Sequence, residues 1–327
     1  MRRIVGIALP AFAALLVAAV PLFVADTFLL KVFTYVGINV LVVVGLALLF
    51  GYAGQVSLGH AAFVGLGAYT CGFMTTQLHL PWVVAFVCAG GVAALGGLLL
   101  ALPSLRLKGH YLAMATLAFG ELAALAFKEA TPVTGGTSGI TGIPFPSLGP
   151  FEFSSAGAIY WFVWAVVGIA VLVAFNLTTF RPGRAMRALH GSELGAAASG
   201  VDVVGVKVRA FVVSALLAGL AGALYASAVG FISPSLFTLQ ASVGFLAMAV
   251  VGGTGSLSGP IAAAVLLTLV QYIDALIPGL PRATGGIIQA YEPDVYGLAI
   301  VLVVLFAPGG LGAIWKRRAA AGEVPSR

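Results

Sequence analysis

Apolar runs of membrane-spanning length follow one another through almost the whole chain. A helix needs about 20 mostly apolar residues to cross the hydrocarbon core of a bilayer. On that measure the sequence predicts ten spans, at residues 4–25, 31–50, 56–78, 82–104, 109–128, 158–179, 208–231, 236–251, 258–277 and 293–312. The expected fold class is therefore all-α: a polytopic transmembrane helical bundle of about ten spans that forms one domain over residues 1–327.

The composition excludes most other classes of protein. Only 8% of the residues are charged and 61% are hydrophobic, with a mean hydropathy of +1.12, whereas about 25% of a soluble domain is charged. A soluble enzyme, a secreted disulfide scaffold and, despite the net charge of +6, a nucleic-acid-binding protein are excluded. Cys71 and Cys88 lie in apolar runs and are expected to pack as small hydrophobic side chains. We expect no catalytic residues, metal ligands or cofactor.

The basic residues predict how the chain crosses the membrane. With the N-terminus inside, thirteen Lys and Arg residues fall on the cytoplasmic side and only Lys31, Lys128 and Arg282 fall outside. This bias follows the positive-inside rule. It places both termini and a segment at 181–207 in the cytoplasm, and a Pro- and Gly-rich loop at 129–157 on the extracytoplasmic side. The run 4–25 is expected to be the first span rather than a cleaved signal, because it is longer than a signal's apolar region.

The segment 51–69 combines an unusual density of glycine with polar side chains. Gln55, Ser57 and His60 lie among its glycines, and polar groups at membrane depth usually face a pathway or a neighbouring helix. One interpretation is a broken helix whose freed backbone groups line a cavity. The other is a packing face, since Ser57, Ala61 and Gly65 are spaced four apart.

A second glycine-rich segment lies at 252–259. Gly252, Gly255 and Ser258 repeat the Gly-x-x-Gly-x-x-Ser spacing that begins at Gly51. Two related halves with paired helix breaks, as in many transporters, would explain the repeat, and so would chance in a glycine-rich chain. None of the Gly-rich runs continues into the G-x-x-x-x-G-K-[ST] sequence that binds nucleotide phosphates, so energy from ATP would have to come from another chain.

Three further features have two interpretations each. Glu121, in the middle of the fifth span, is either functional or a structural acid within the bundle. The run from Gly183 to His190 places Arg184 and Arg187 one turn apart; it is either a helix against lipid headgroups or a coupling helix that inserts into a partner ATPase. The outer run at 134–139 is either an ordinary turn or an outer gate or docking surface.

The order of these motifs resembles that of the branched-chain amino acid ABC permease family, in particular its LivM-type subunits. The resemblance extends from about residue 35 to 315. It is carried by the segments 51–63, 105–121, 134–140, 183–188 with Glu193 and 200–202, 218–225, 250–260 and 306–311. Several independent motifs in the same order are far more specific than any one of them.

The resemblance implies an importer in a bacterial or archaeal cytoplasmic membrane. Its expected partners are a second, LivH-type permease subunit, two ATP-binding subunits and a periplasmic or lipid-anchored binding protein. It implies pathway or gate candidates at Gly54, Gln55, Ser57, Gly59, His60, Phe63, Thr116, Glu121, Gly252, Gly255 and Ser258. It also implies outer-loop candidates at Thr134, Gly135, Gly136, Thr137 and Gly139, and ATPase-coupling candidates at Arg181, Gly183, Arg184, Arg187 and Glu193.

The expected substrate is a branched-chain amino acid. Urea, short amides and aromatic acids are alternatives, because permeases of the same type serve those importers and specificity is expected to reside largely in the binding protein. From other classes, a secondary transporter would need an ion or proton site beyond Glu121, and a passive channel would need no coupling loop.

Overall fold

Helices account for nearly all of the regular structure in the computed structural model. It describes residues 26–105, 107 and 109–272, together with 297, 298, 301–303, 305, 310 and 312. Some predictions lie outside the described residues. They concern the predicted span 4–25, most of the span 293–312, residues 273–277 of the ninth span, and both termini.

Eight long helices correspond to the eight predicted spans that the structure describes. They are α1 (Thr27–Leu46), α2 (His60–Thr76), α3 (Trp82–Ser104), α4 (His110–Glu129), α6 (Ala156–Thr179), α9 (Val203–Val229), α10 (Leu239–Gly252) and α11 (Ser258–Gln271). Shorter helices are α5 (Thr131–Thr134), α7 (Arg181–Gly191) and α8 (Glu193–Ala198). Six helical segments of the described chain are long and apolar enough to cross a membrane. The prediction of a polytopic helical bundle is confirmed.

The helix ends follow local capping chemistry. The side chains of Asp26, Ser155 and Asp202 accept hydrogen bonds from backbone N–H groups in the first turns of α1, α6 and α9. At the other end of α9, Gly230 has a φ of 76°, the left-handed conformation that ends helices and that glycine adopts without strain. These caps explain why the observed helices begin or end a few residues away from the limits of the apolar runs.

Helix α9 lies at the centre of the bundle, packed against α1, α2 and α3. Small residues allow the backbones to approach closely: a Cβ at Gly67 would overlap the carbonyl of Gly219, and one at Gly222 would overlap the carbonyl of Val64. Ala218, Gly222 and Ala226, which are spaced four apart on α9, are all buried. Close backbone approach through small residues is how helices associate in lipid.

Two ends of the bundle are distinguished by their connections. Strand β1 (Ile140–Thr141) pairs antiparallel with β4 (Phe231–Ile232), and β2 (Ser147–Leu148) pairs with β3 (Phe151–Glu152). We call the end that carries β1 and β4 the β end. The opposite end carries α7 and α8 within the segment 181–207, and we call it the basic end. The loop 129–157, expected to have little helix, contains α5 and a single turn of 3₁₀ helix at Gly136–Ser138.

Candidate functional site

The predicted break in the glycine-rich segment is present, and it lies inside the bundle. After α1 the chain forms a π-helical turn at Ala47–Tyr52, runs without regular structure through 53–59, and enters α2 at His60. The prediction of a span from 56 to 78 was therefore wrong in its first four residues. Gly54 has a φ of 68°, which reverses the chain where a residue with a Cβ would be strained.

Side chains from two other helices satisfy the backbone at the start of α2. The N–H of Leu58 donates to Thr116 Oγ1 of α4 at 3.0 Å, and the N–H of Ala61 donates to Ser242 Oγ of α10, also at 3.0 Å. The first N–H groups of a helix lack partners within the helix itself. Thr116, predicted as a pathway residue, is fully buried and supports this break.

Ser57, His60 and Phe63 are fully buried within the chain. His60 Nε2 lies 3.3 Å from Ser214 Oγ of α9, and its ring meets the edge of Phe63. Ser57 Oγ and His60 Nδ1 have no hydrogen-bond partner among the described residues. The structure therefore places these three candidates in the core of this chain. For Ser57 this burial agrees with the interpretation of the segment as a packing face.

The crossing of α4 over this break is unusually close. A Cβ at Gly59 would overlap the carbonyl of Thr116, and a Cβ at Gly120 would lie 3.1 Å from Gly59 Cα. At 1.5 Å per residue, the ten residues from His110 to Gly120 place this crossing about 15 Å along α4 from its basic end. Glu121 follows directly and is exposed on the surface of the chain. The interpretation of Glu121 as an acid within the bundle of this chain was wrong.

The second glycine-rich segment also forms a break, between α10 and α11. It lies beside the first, because a Cβ at Gly51 would be 3.9 Å from Thr254 Cα. A Cβ at Gly252 would overlap Pro260, so the two helices can meet only with glycine there. Gly255 and Ser258 are exposed. Both predicted glycine-rich discontinuities thus meet at the basic end.

Helix α7 packs against the first break through an apolar stripe on one of its faces. Met186 and Leu189 are buried, whereas Arg181 and Arg184 are exposed. Gly183 permits the tight turn out of α6, because a Cβ there would overlap the carbonyl of Thr178. The exposed face of α7 is therefore basic and its buried face holds it to the bundle.

Arg187 and His190 connect α7 to the broken helix. Arg187 Nη1 donates to the carbonyl of Thr178 at 2.9 Å, and its guanidinium carbon lies 5.8 Å from the centre of the Tyr52 ring, within the range of a cation–π contact. A Cβ at Gly54 would lie 3.1 Å from His190 Nδ1. Any displacement of α7 must therefore move Tyr52 or Gly54, or break these contacts.

A cavity of about 360 Å³ lies beside the break, at the point where α7 ends and α8 begins. Its lining comes from three parts of the chain that sequence reasoning treated separately: residues 53–56, Gly109 with Leu112, and residues 189–194. The cavity includes Gln55, whose Nε2 donates to the carbonyl of Ala53 at 3.1 Å. An open space at this point gives α7 and the 53–59 segment room to move relative to one another.

Glu193 differs from the other coupling candidates because it forms an ion pair within the chain. Its Oε1 lies 2.6 Å from Lys207 Nζ, and the Lys207 side chain is only 2% exposed. The pair joins the start of α8 to the first turns of α9. Glu193 thus connects the start of α8 to α9 within this chain. Its predicted contact with an ATPase stays a prediction.

Comparisons with known proteins agree with this arrangement. A family model described as the permease component of the branched-chain amino acid transport system matches residues 28–307. The high-affinity branched-chain amino acid permease proteins LivM of Salmonella typhimurium LT2 and Escherichia coli K12 are each 32% identical over 297 residues, covering 84% of this chain and 67% of theirs. The chain belongs to the branched-chain amino acid transport permease family.

Other proteins similar to this chain are named for different substrates. The ribose import permease protein RbsC of Haemophilus influenzae is 26% identical over 308 residues, covering 91% of each chain. No solved structure matches the chain. Membership of this permease family makes the chain a membrane transport component rather than a catalytic enzyme.

The outer-loop candidates of this permease form a compact turn on the β end. The Thr134 side chain is buried, its Oγ1 accepts from the N–H of Gly136 at 3.1 Å, and Gly135 and Gly136 both have positive φ. A Cβ at Gly139 would overlap the carbonyl of Ile232, so this glycine fits the turn against β4. Thr137 is exposed at the tip of the turn.

The sequence alone did not predict several residues that hold the first break and the helices around it together. Tyr52 and His190 join α7 to the break, Ser242 caps α2, and Lys207 pairs with Glu193. Lys207 alone gave a sequence signal, as a cation at the start of a long apolar run. The other contacts join residues far apart in the chain, and no local pattern predicts them.

Proposed function

We propose that this chain is one of two membrane permease subunits of an ATP-driven importer that carries branched-chain amino acids into the cell. Membership of the family and the identity to the LivM proteins support this substrate class. The observation that carries the proposal is the contact of α7 with the broken helix, because an importer driven by a separate ATPase needs a link between a docking surface and a gate.

The exposed basic face of α7 is the proposed docking surface for the ATP-binding subunits. Arg181 and Arg184 are exposed there, and the Arg184 side chain has no hydrogen bond or ion pair within the described part of the chain. The buried face, with Met186 and Leu189, fixes α7 to the bundle. A helix that presents one face to a partner groove and the other to its own bundle transmits the partner's displacement.

The proposed gate is the broken segment 53–59 together with the second break at 253–257. When the ATPase moves α7, the cation–π contact of Arg187 with Tyr52 and the contact of His190 with Gly54 carry that movement into the first break. The contact between Gly51 and Thr254 carries it to the second. The cavity beside residues 53–56 takes up the displacement.

The remaining proposed partners are assigned to the surface and to the two ends of the bundle. A second, LivH-type permease subunit completes the pathway, and a periplasmic or lipid-anchored binding protein delivers substrate at the β end, where the loop 129–157 lies. The importer is placed in a bacterial or archaeal cytoplasmic membrane with 181–207 facing the cytoplasm, as the basic residues of that segment favour.

Reconstituted transport tests this function. The complex with its second permease and ATPase subunits is placed in proteoliposomes, and uptake of labelled leucine is measured with the binding protein, with and without ATP, and with urea as competitor. We expect uptake that requires ATP and that urea leaves unchanged. Uptake of urea, an aromatic acid or a sugar in place of leucine would replace the substrate class, and uptake without ATP would indicate a secondary transporter or a channel.

The docking role of α7 is tested by Arg184→Glu in the same complex. We expect the variant to fold and to hydrolyse ATP while uptake falls at least about tenfold, because the reversed charge weakens contact with the ATPase and no contact within this chain is lost. Lys31→Glu, a reversal of the same charge at an exposed residue of α1 outside the loop 129–157, is the matched control. Unchanged coupled uptake by Arg184→Glu would contradict the assignment.

A further inference from the structure

Three long helices of this chain present wide exposed faces, and only one of these faces carries a charge near its middle. The exposed residues of α3 from Val83 to Leu102 and those of α6 from Trp161 to Phe175 are apolar or glycine. Such faces suit a lipid environment. On α4 the exposed stripe instead runs through Tyr111, Met114, Ala118, Glu121, Leu122 and Leu125.

Lipid does not suit the α4 stripe. Glu121 lies near the middle of a 20-residue apolar helix, and a charged side chain at the centre of a bilayer is costly enough that such residues face a water-filled cavity or another protein. Within the described residues Glu121 makes no hydrogen bond or ion pair. The group that satisfies this carboxylate must therefore come from outside this part of the chain.

The position of Glu121 along α4 places it beside the proposed gate. Gly120 and Gly59 bring α4 and the first break into backbone contact, and Thr116 accepts a hydrogen bond from the break one turn earlier. Glu121 is thus held at the depth where α2 begins, on the surface rather than in the core. A subunit that covered α4 would enclose Glu121 and the edge of the break in one space.

We infer that Glu121 faces the transport pathway and binds the α-ammonium group of the amino acid in transit. The inference rests on the proposed function and names a substrate contact for it. A carboxylate forms charge-assisted hydrogen bonds with an ammonium group, and the neighbouring Met114, Leu122 and Leu125 offer apolar contact to an aliphatic side chain. Urea has no ammonium group, so the same site favours an amino acid over urea.

Transport kinetics of Glu121→Gln test the inference in the complete complex. Gln keeps the size of the side chain and removes its charge, so we expect the KM for leucine uptake to rise at least about tenfold while ATP hydrolysis and assembly persist. Glu121→Asp should recover part of the loss. Lys31→Gln, which removes an exposed charge on α1 outside the loop 129–157, should leave the KM unchanged.

Thiol labelling supplies a second measurement that does not depend on uptake by the Gln variant. With Cys71 and Cys88 replaced by Ala, Ala118→Cys lies on the same exposed stripe of α4 and leaves Glu121 in place. It should react in the complex with a small cationic thiol reagent, and leucine should slow the reaction. Leu95→Cys, on the exposed apolar face of α3, should stay unreactive. Ala118→Cys as unreactive as Leu95→Cys, or reactive without protection by leucine, would overturn the inference.

The outcomes separate this inference from the function on which it rests. If the wild-type complex shows ATP-driven leucine uptake and Glu121→Gln has the same KM, the inference alone is rejected. If Glu121→Gln loses its second permease subunit, Glu121 belongs to a subunit contact and the inference is also rejected. If the wild-type complex takes up no amino acid, the proposed function and the inference are rejected together.

Discussion

At the scale of single residues, the most consequential contact is the ion pair between Glu193 and Lys207. Burial of the Lys207 ammonium makes the two partners unequal, because the Glu193 side chain is 23% exposed and that of Lys207 is 2% exposed. If Lys207 is removed, water reaches the Glu193 carboxylate. If Glu193 is removed, a buried positive charge is left without its partner, which in proteins costs about 3–5 kcal/mol.

We therefore predict that Glu193→Gln destabilises the protein more than Lys207→Met. Thermal unfolding in detergent should give the lowest melting temperature for Glu193→Gln and a smaller loss for Lys207→Met. The double variant should recover most of the stability, because it removes both charges and leaves an apolar side chain in the buried position. Equal losses for the two single variants, or a double variant less stable than either, would contradict this order.

Among the helical elements, the contact between α7 and the first break depends on Gly54. A Cβ there would strain a backbone with a φ of 68° and press on His190. We predict that Gly54→Ala lowers ATP-driven uptake at least about tenfold while ATP hydrolysis continues, because α7 is displaced from the break. Gly142→Ala is the matched control: its φ is 73°, but its Cβ would meet no atom within 4 Å.

Comparing Gly54→Ala with Gly142→Ala separates the effect of backbone strain from the effect of the contact between Gly54 and α7. Each substitution forces a residue with a Cβ into a left-handed conformation, which costs about 1 kcal/mol or more, so a similar loss of thermal stability is expected from both. Only Gly54→Ala should change the ratio of molecules transported to ATP hydrolysed. A change of that ratio in both variants would assign the effect to strain rather than to α7.

The helices themselves were predictable because long apolar runs are a strong local signal. The described ends of the eight spans agree with the sequence prediction within about five residues, and α2 begins at His60 and not at 56. Hydropathy does not detect that start, because Val56 and Leu58 keep the averaged run apolar up to the first residues of α2. The break is fixed by Gly54 and by backbone hydrogen bonds that Thr116 and Ser242 accept, and these two residues are 58 and 181 residues from their donors.

The candidate site was predictable in part. Its glycine-rich segments and the apolar stripe of α7 follow local patterns, and the structure brings both to the basic end. The burial of Ser57 and His60, the exposure of Glu121 and the pairing of Glu193 depend on how whole helices are arranged. A single sequence gives the period of a helix but not which of its faces a neighbour covers.

Across the whole molecule, the connections between the helices alternate between the two ends of the bundle. Residues 53–56, Gly109 and residues 189–194 line one cavity at the basic end, and Thr254 lies beside Gly51 there. The loops at 140–143 and 231–232 meet at the β end, where they also contact Gly72 near the end of α2. Each of the eight long helices in the described part of the chain thus runs from one end towards the other, as a polytopic protein requires.

This alternation turns the topology into a single choice, since fixing the side of one loop fixes all the others. The basic residues of 181–207 favour the cytoplasm for the basic end. With Cys71 and Cys88 replaced by Ala, Thr137→Cys should react with a membrane-impermeant maleimide on intact cells, whereas Arg184→Cys should react only after permeabilisation. Both positions are exposed on this chain, and expressing it without the ATP-binding subunits leaves α7 uncovered, so access to the reagent depends on sidedness. The reverse pattern would place α7 outside the cell, beyond the reach of any ATPase, and would reject the coupling role of α7 together with the orientation.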